Sequence, residues 1–203
     1  MIIERVKSII TKPKETWELI KSEPATISQV MMSYVVPLAL IPAIFGIIGR
    51  SLIGRTYHIL ITTVTIRVPI GYSIVWAIVW YILTLIGLYI EGMIINALAP
   101  TFDSKKDMTK AFKLAAYSAT PGFIAGVLNI WSPLGILVFL ISLYGLYLAY
   151  LGLPILMETP KEKVVSYIIV VIIIMIVVYV VIGAIASAIL SAMWSPHLLP
   201  HLR

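Results

Sequence analysis

The chemistry available to this chain rests on very few ionisable side chains placed within apolar sequence. Glu91 is the only acid inside an apolar segment, and Lys113 lies at a comparable depth in the next one. If these segments cross a bilayer, an ionisable side chain within them is a functional candidate together with its partner. One hypothesis is that Glu91 pairs with Lys113 in a polar cluster that contacts a ligand or partner. The cluster comprises Glu91, Lys113, Tyr117, Ser118, Tyr147 and Tyr150.

A purely structural interpretation of the same residues is favoured over a ligand site. Glu91 lies about two helical turns from the end of its segment, so its carboxylate can extend to the lipid headgroups. Lys113 can extend its ammonium in the same way. Charges at the interface cost much less than charges at the bilayer centre, so neither residue requires a ligand.

Catalytic, metal and cofactor sites find little support in the sequence. The chain has no cysteine, and it has three histidines, His58, His197 and His201. His197 and His201 have a spacing typical of metal ligands, but Pro200 would break the helix that aligns them, and no acid lies nearby. No phosphate-binding glycine loop or Ser/His pairing is present. We expect no catalytic residue, no metal, no cofactor and no enzymatic activity.

The elements that position these residues are five long apolar segments. Hydrophobic residues make up 61% of the 203 residues, and the mean hydropathy is +1.04. A bilayer core requires about 20 apolar residues per helical span. The sequence predicts an all-α polytopic integral membrane protein, a five-helix transmembrane bundle, with a short amphipathic interfacial helix in an N-terminal segment, 1–23. The membrane domain, 24–203, has spans at about 30–49, 72–98, 109–131, 134–156 and 163–193.

The N-terminal segment is the one substantial polar region. Apolar residues recur there at helical spacing opposite charged ones, a pattern typical of a helix lying on the membrane surface. Lys12, Lys14, Trp17 and Lys21 are expected to anchor it at an anionic headgroup layer. A simple basic flank that orients the first span is an equally good interpretation.

Three prolines predict kinks within the spans. Pro37 and Pro42 lie in the first span and Pro121 in the third. Each removes a backbone donor and frees a carbonyl four residues earlier. Near Pro121 the freed carbonyl belongs to Tyr117, and Ser118 or Thr120 could bond to it.

Small residues at four-residue spacing form ladders on three spans. Gly122 and Gly126 continue one from Ser118, Gly145 and Ala149 form a second, and the third comprises Gly183, Ser187 and Ser191. Such ladders let helix backbones approach closely. We expect packing within the monomer, with a homodimer face as the alternative.

Local signals mark two of the connections. Residues 57–66 are rich in β-branched side chains and too short to span, which favours an extended or an interfacial segment. Asp107 or Ser104 is expected to start the third helix. Thr159 and Glu162 predict a capping box at the start of the fifth.

Orientation follows from the lysines and arginines. If the N-terminus is cytoplasmic, eleven of them lie inside and four outside. Trp76, Trp131 and Trp194 then lie near the outer interface, as an aromatic belt requires. The pattern predicts a multi-pass cell-membrane protein with a cytoplasmic N-terminus and an outside C-terminus. It also explains the net charge of +6 without nucleic acid.

The order of these features resembles the Yip family, the Ypt/Rab-interacting multi-pass membrane proteins, in its prokaryotic form. The resemblance rests on residues 12–17, on 37–40, on the Tyr–Ser–x–x–Pro element within 111–121, and on 133–135 and 144–147. It covers nearly the whole chain. Eukaryotic members are linked to vesicle traffic and Rab GTPases, so the resemblance implies a binding or organising role.

The predicted function is therefore that of a non-enzymatic membrane adaptor that binds lipids or partner proteins at the cytoplasmic face. The alternative is a small-solute channel or transporter with a polar vestibule open to the cytoplasm. A continuous polar stripe through both leaflets would favour transport. Polar groups confined to the cytoplasmic half would favour the adaptor.

Overall fold

The computed structural model describes residues 2–59 and 62–193. Five helical segments in it are long and apolar enough to cross a membrane, which confirms the all-α, five-span fold. These spans are Ile27–Ile53, Ile70–Phe102, Met108–Ile130, Ser132–Leu156 and Lys161–Ser191.

Several spans are built from more than one helical piece. The α-helices are α1 (Ile2–Thr11), α2 (Pro13–Ser22), α3 (Ile27–Val30), α4 (Val36–Ile48), α5 (Ile70–Leu98), α6 (Met108–Ser118), α7 (Thr120–Ala125), α8 (Gly135–Ser142), α9 (Tyr144–Leu156) and α10 (Val164–Met193). Turns of 3-10 helix cover Ala99–Phe102, Gly126–Ile130, Ser132–Leu134 and Lys161–Lys163, and π-helical turns cover Met31–Val35 and Gly49–Ile53.

The N-terminal segment forms two helices, where a single surface helix was expected. Lys12 leaves the helical region, with φ −135° and ψ 61°, because the ring of Pro13 disfavours helical backbone in the preceding residue. The chain folds back at this point, so α1 packs on α2 and α2 packs on α9. Ile9 and Ile20 are fully buried. The apolar face of this helix pair therefore lies largely against protein.

The first span begins three residues before the predicted start. Thr26 caps it, since its hydroxyl accepts from the Gln29 backbone N–H while the Gln29 side chain accepts from the Thr26 N–H. A π-helical turn then precedes α4, and Pro37 lies in the first turn of α4, where its missing donor is tolerated. The helix continues past Pro42.

The segment after the first span is extended, which decides between the two alternatives that the sequence left open. Strands β1 (Arg55–Ile59) and β2 (Thr62–Ile66) form an antiparallel hairpin in which Arg55 pairs with Ile66. The β-branched composition favours this conformation.

The third span is the centre of the bundle. In its most apolar 18-residue stretch 67% of the residues are buried, against 11–28% in the other four spans. Asp107 starts this span, since its carboxylate accepts from the Lys110 backbone N–H at 3.1 Å. The span breaks at Ala119, two residues before Pro121, as predicted. Thr120 Oγ1 donates to the freed Tyr117 carbonyl at 2.7 Å.

The fourth span also breaks, and the fifth starts differently from the prediction. Leu143 separates α8 from α9. The capping box expected at Thr159 is absent, because the Thr159 hydroxyl instead accepts from Ser104 Oγ at 2.8 Å. A 3-10 turn over Lys161–Lys163 leads into α10 without a side-chain cap.

Candidate functional site

All five spans line a central, partly open cavity of about 510 Å³. Every span contributes to its wall, which is mostly apolar. Its polar lining residues are Thr84, Glu91, Ser118, Ser142 and Tyr179, and its apolar lining includes Pro42, Gly122, Gly145, Leu146 and Met175. A cavity of this size lies within the range of small-molecule binding sites.

Glu91 is the one acid in the cavity wall. It lies on α5 next to Gly92, where a Cβ would come within 3.1 Å of the Phe112 Cα. This close approach holds α5 against α6 directly beside Glu91 in the chain. Within residues 2–59 and 62–193 the structure gives Glu91 no ion pair. An acid without a counter-ion in an apolar wall is an expensive arrangement.

Both helix breaks lie at this cavity. Ser118 and Ala119 form the break of the third span, and Ser142 precedes the break of the fourth. Gly145 lets the two spans meet there, because a Cβ on it would lie 2.5 Å from the Ser118 carbonyl oxygen. Ser118 Oγ is buried and has no hydrogen-bond partner in the described part of the chain. Discontinuous helices of this kind form binding sites in many transporters.

The predicted pair between Glu91 and Lys113 is wrong. Lys113 is 5% exposed and donates to the backbone carbonyls of Ile20, at 3.1 Å, and Glu23, at 2.6 Å. These carbonyls lie at the C-terminal end of α2, where backbone acceptors lack helical partners and a cation is favourable. Lys113 therefore fastens α2 to the bundle and leaves Glu91 alone in the cavity.

Tyr117 belongs to the same docking contact as Lys113. Its ring packs edge-on against Trp17, with centroids 6.2 Å apart, and lies 4.6 Å from the ring of Tyr34. The Arg5 guanidinium lies 6.0 Å from the Tyr117 ring centroid, and it pairs with Glu23. Tyr117 thus joins α1, α2 and the first span to the third.

Trp17 is not the lipid anchor that the sequence predicted. Its side chain is fully buried, and its indole Nε1 donates to the Leu148 carbonyl at 3.0 Å. Gly152 makes room for the ring, since a Cβ there would lie 2.8 Å from Trp17 and 2.5 Å from Leu114. Trp17 therefore packs into a notch formed at Gly152 and Leu114 and is not placed in the headgroup layer.

The remaining predicted residues lie on the outside of the bundle. Tyr147 and Tyr150 are 47% and 45% exposed, and neither lines the central cavity. Tyr150 instead lines a groove with Lys14 and Lys161, which we call the rim groove. Lys12, Lys14 and Lys21 are exposed on α2 and its boundary. Of the six predicted cluster members, the structure brings only Glu91 and Ser118 together in the cavity.

The small-residue ladders serve different purposes. Those on the third and fourth spans pack within the monomer, as Gly145 shows. The ladder on the fifth span is largely open, because Ser187 and Ser191 are exposed and a Cβ on Gly183 would meet nothing within 4 Å. A homodimer through the fifth span stays a prediction. His197, His201 and Trp194 lie outside the described residues.

Glu91→Gln and Lys113→Met are expected to act additively on stability, because the two side chains share no partner. Lys113→Met should lower the free energy of unfolding by about 1–3 kcal/mol, since it leaves two buried carbonyls without a donor. The double variant should match the sum within about 0.5 kcal/mol. Thermal unfolding of the three variants in one detergent measures these free energies. A deviation from the sum larger than this would indicate that Glu91 and Lys113 interact, as an ion pair would.

Comparison with known proteins gives one family and two curated relatives. The Yip1 domain model matches residues 7–185. Inner membrane protein YohC of Escherichia coli K12 is 26% identical over 169 residues, which cover 81% of this chain and 85% of YohC. YohC of Escherichia coli O6:H1 strain CFT073 matches with the same identity and coverage. No solved structure gives a significant match.

Proposed function

Since the chain belongs to the Yip1 domain family and has five membrane-spanning helices, we propose that it is a non-enzymatic membrane adaptor. Its basic rim binds anionic lipid headgroups at the cytoplasmic face. We define the basic rim as the exposed lysines of α2 and of two loops between spans. They are Lys12, Lys14, Lys21, Lys105, Lys106 and Lys161.

The observation that carries this proposal is the docking of the N-terminal helix pair. Trp17 and Lys113 fix α2 on the bundle, so the exposed lysines of this helix keep a fixed position relative to the spans. The rim groove brings Lys14 of α2 beside Lys161, at the start of the fifth span, with Glu15 and Glu18 in the same wall. Lysines near the headgroups attract anionic lipid, at about 1 kcal/mol per residue near the surface.

The distribution of charge supports a cytoplasmic position for this rim. Five spans place α2, the loop before the third span and the loop before the fifth on one side of the membrane. That side carries the excess of lysine and arginine, which is the cytoplasmic signature of multi-pass proteins. The opposite side holds the hairpin and Arg67.

Replacing Lys12, Lys14 and Lys21 with glutamine is expected to remove about half or more of the response to anionic lipid. The full chain is placed in nanodiscs of phosphatidylcholine with increasing phosphatidylglycerol, and its melting temperature is recorded at low and high salt. Wild type should be stabilised at low salt, and the variant should lose about half of that effect or more.

Replacement of the same three lysines with arginine is the matched control, because the charge is kept and the stabilisation should remain. Equal responses of wild type and the glutamine variant would overturn the lipid-binding proposal. If the protein instead purifies with a second protein at a fixed ratio and its stability does not respond to lipid, the basic rim binds a protein partner and not a lipid.

A channel or transporter is the second candidate, and the central cavity with its two broken helices favours it. Against it, Pro42 in the cavity wall packs tightly on Gly126, where a Cβ would lie 2.6 Å from the proline. Transport past this contact would require spans one and three to separate. Solute flux into proteoliposomes that is abolished by Glu91→Gln would support this function over the adaptor.

A further inference from the structure

Within the part of the chain that the structure describes, no cation pairs with Glu91. The lysines and arginine nearest in sequence or depth are engaged elsewhere: Lys113 with the end of α2, Lys163 with Asp103, and Arg5 with Glu23. Among the described residues no ion pair or hydrogen bond to Glu91 is formed. The carboxyl group therefore faces the cavity with its bonding capacity unused.

Ser118 is a second polar group left open to the same cavity. Ser118 is 8% exposed, and its hydroxyl has no hydrogen-bond partner in the described part of the chain. Ser142, which also lines the wall, differs in this respect, because its hydroxyl donates to the Val138 carbonyl at 2.7 Å. Buried polar groups are nearly always hydrogen-bonded, so a hydroxyl and an acid that line one cavity without partners among the described residues point to a ligand.

The rest of the wall sets the character of that ligand. Leu146, Ile168, Ile172 and Met175 provide a large apolar surface around the two polar groups. A fully polar solute would leave this surface unmatched, and an anion would be repelled by Glu91. A cationic head pairs with the ionised form of Glu91, and an apolar body matches the rest of the wall.

We propose that the central cavity binds an amphipathic molecule with an ammonium head, for which Glu91 is the counter-ion and Ser118 an acceptor. The apolar body lies against the fourth and fifth spans. This site is separate from the basic rim, which attracts the opposite charge, so either site can fail without the other. The ammonium group is supplied by a free alkylamine or by the headgroup of an aminophospholipid.

The test uses a dodecylamine that carries a photoreactive diazirine in its chain, with the matching dodecanol as the neutral probe. Both are added to the full-length protein in phosphatidylcholine nanodiscs, and cross-linked peptides are mapped by mass spectrometry. The amine should label cavity residues of α9 and α10 well above the alcohol. Glu91→Gln should reduce labelling by the amine about tenfold and leave the alcohol unchanged.

Two further variants and a competition experiment serve as controls for the labelling. Glu162→Gln removes an exposed acid outside the cavity and should change nothing. Ser118→Ala should weaken amine labelling by a smaller factor than Glu91→Gln. In wild type, unlabelled dodecylamine should displace the probe and dodecanol should not, which needs no variant. Equal labelling by amine and alcohol, with no effect of Glu91→Gln, would overturn the proposal and leave a cavity for neutral chains.

Phosphatidylethanolamine nanodiscs distinguish the two sources of the ammonium group. Displacement of the probe by this lipid supports a headgroup as the occupant. Undiminished labelling in the same nanodiscs supports a free amphipathic amine.

Discussion

Trp17→Ala is expected to detach the N-terminal helix pair from the bundle and to lower the free energy of unfolding by about 3–5 kcal/mol. Trp17 is the largest fully buried side chain of the described residues. Its removal empties the notch between Gly152 and Leu114 and leaves the Leu148 carbonyl without its donor. Thermal unfolding and limited proteolysis measure the effect, and new cleavage should appear within 2–22 before the spans unfold.

Two substitutions on the same helix calibrate that result. Trp17→Phe keeps most of the ring packing but removes the indole donor, so it should cost about 1–2 kcal/mol. Leu19→Ala should have little effect, because Leu19 is 57% exposed. If Trp17→Ala and Leu19→Ala were equally stable and equally resistant to protease, α2 would not be docked as the structure shows.

The second large effect is expected for Gly145→Ala, which should lower stability by about 1–3 kcal/mol through overpacking. The added Cβ would lie 2.5 Å from the Ser118 carbonyl oxygen, a backbone atom that cannot rotate away. The third and fourth spans must therefore separate at their breaks, which also reshapes the central cavity.

Gly183→Ala is the matched control for this substitution. It also replaces a helical glycine within a span, but nothing lies within 4 Å of the added methyl. Helix propensity alone then applies, and the variant should be as stable as wild type or up to about 1 kcal/mol more stable. Melting temperatures of both variants in the same detergent provide the test. Equal values for the two would contradict the close contact at Gly145.

The fold was predictable from the sequence because the bilayer imposes simple requirements. A span must be apolar for about 20 residues, and five segments meet that condition. The Yip family assignment was likewise confirmed, since the Yip1 domain model matches residues 7–185. The break near Pro121 followed from the missing backbone donor of proline, and the Tyr117 carbonyl found the predicted hydroxyl of Thr120.

The candidate site was harder to predict because its contacts join residues far apart in sequence. The apolar positions of α1 and α2 suit a lipid surface and a protein surface equally well, so periodicity alone does not show what covers Trp17. The pairing of Lys113 with Glu91 was inferred from depth, whereas the acceptors of Lys113 lie 90 and 93 residues away at the C-terminal end of α2. Glu91 stands out in the sequence as the only acid in an apolar segment, but whether it has a partner depends on where Lys113 lies.

Two features of the sequence mark helix boundaries that were not among the predictions. Thr26 and Gln29 have the spacing of a capping box and mark the start of the first span. Pro13 predicts the division of the N-terminal segment into two helices. The role of Gly152 cannot be predicted from the sequence, because the space that it leaves for Trp17 is defined only by the packing of α2 on α9.

The docked helix pair and the cavity share a wall. Leu114 contacts the Gly152 notch behind which Trp17 lies, and it also lines the cavity. Changes in α2 docking therefore reach the cavity through one side chain. Trp17→Ala should weaken amine labelling in the cavity, while the exposed Leu19→Ala should not.

The proposed function requires that the basic rim face the cytoplasm. The sequence contains no cysteine, so single introduced cysteines test this orientation directly. Lys14→Cys and Arg67→Cys are introduced separately, since both positions are exposed and the structure places them on opposite sides of the bundle. Each is labelled with a membrane-impermeant maleimide in right-side-out and in inverted membrane vesicles. We predict labelling of Lys14→Cys only in inverted vesicles and of Arg67→Cys only in right-side-out vesicles. The reverse pattern would place the basic rim outside the cell and contradict the proposed function.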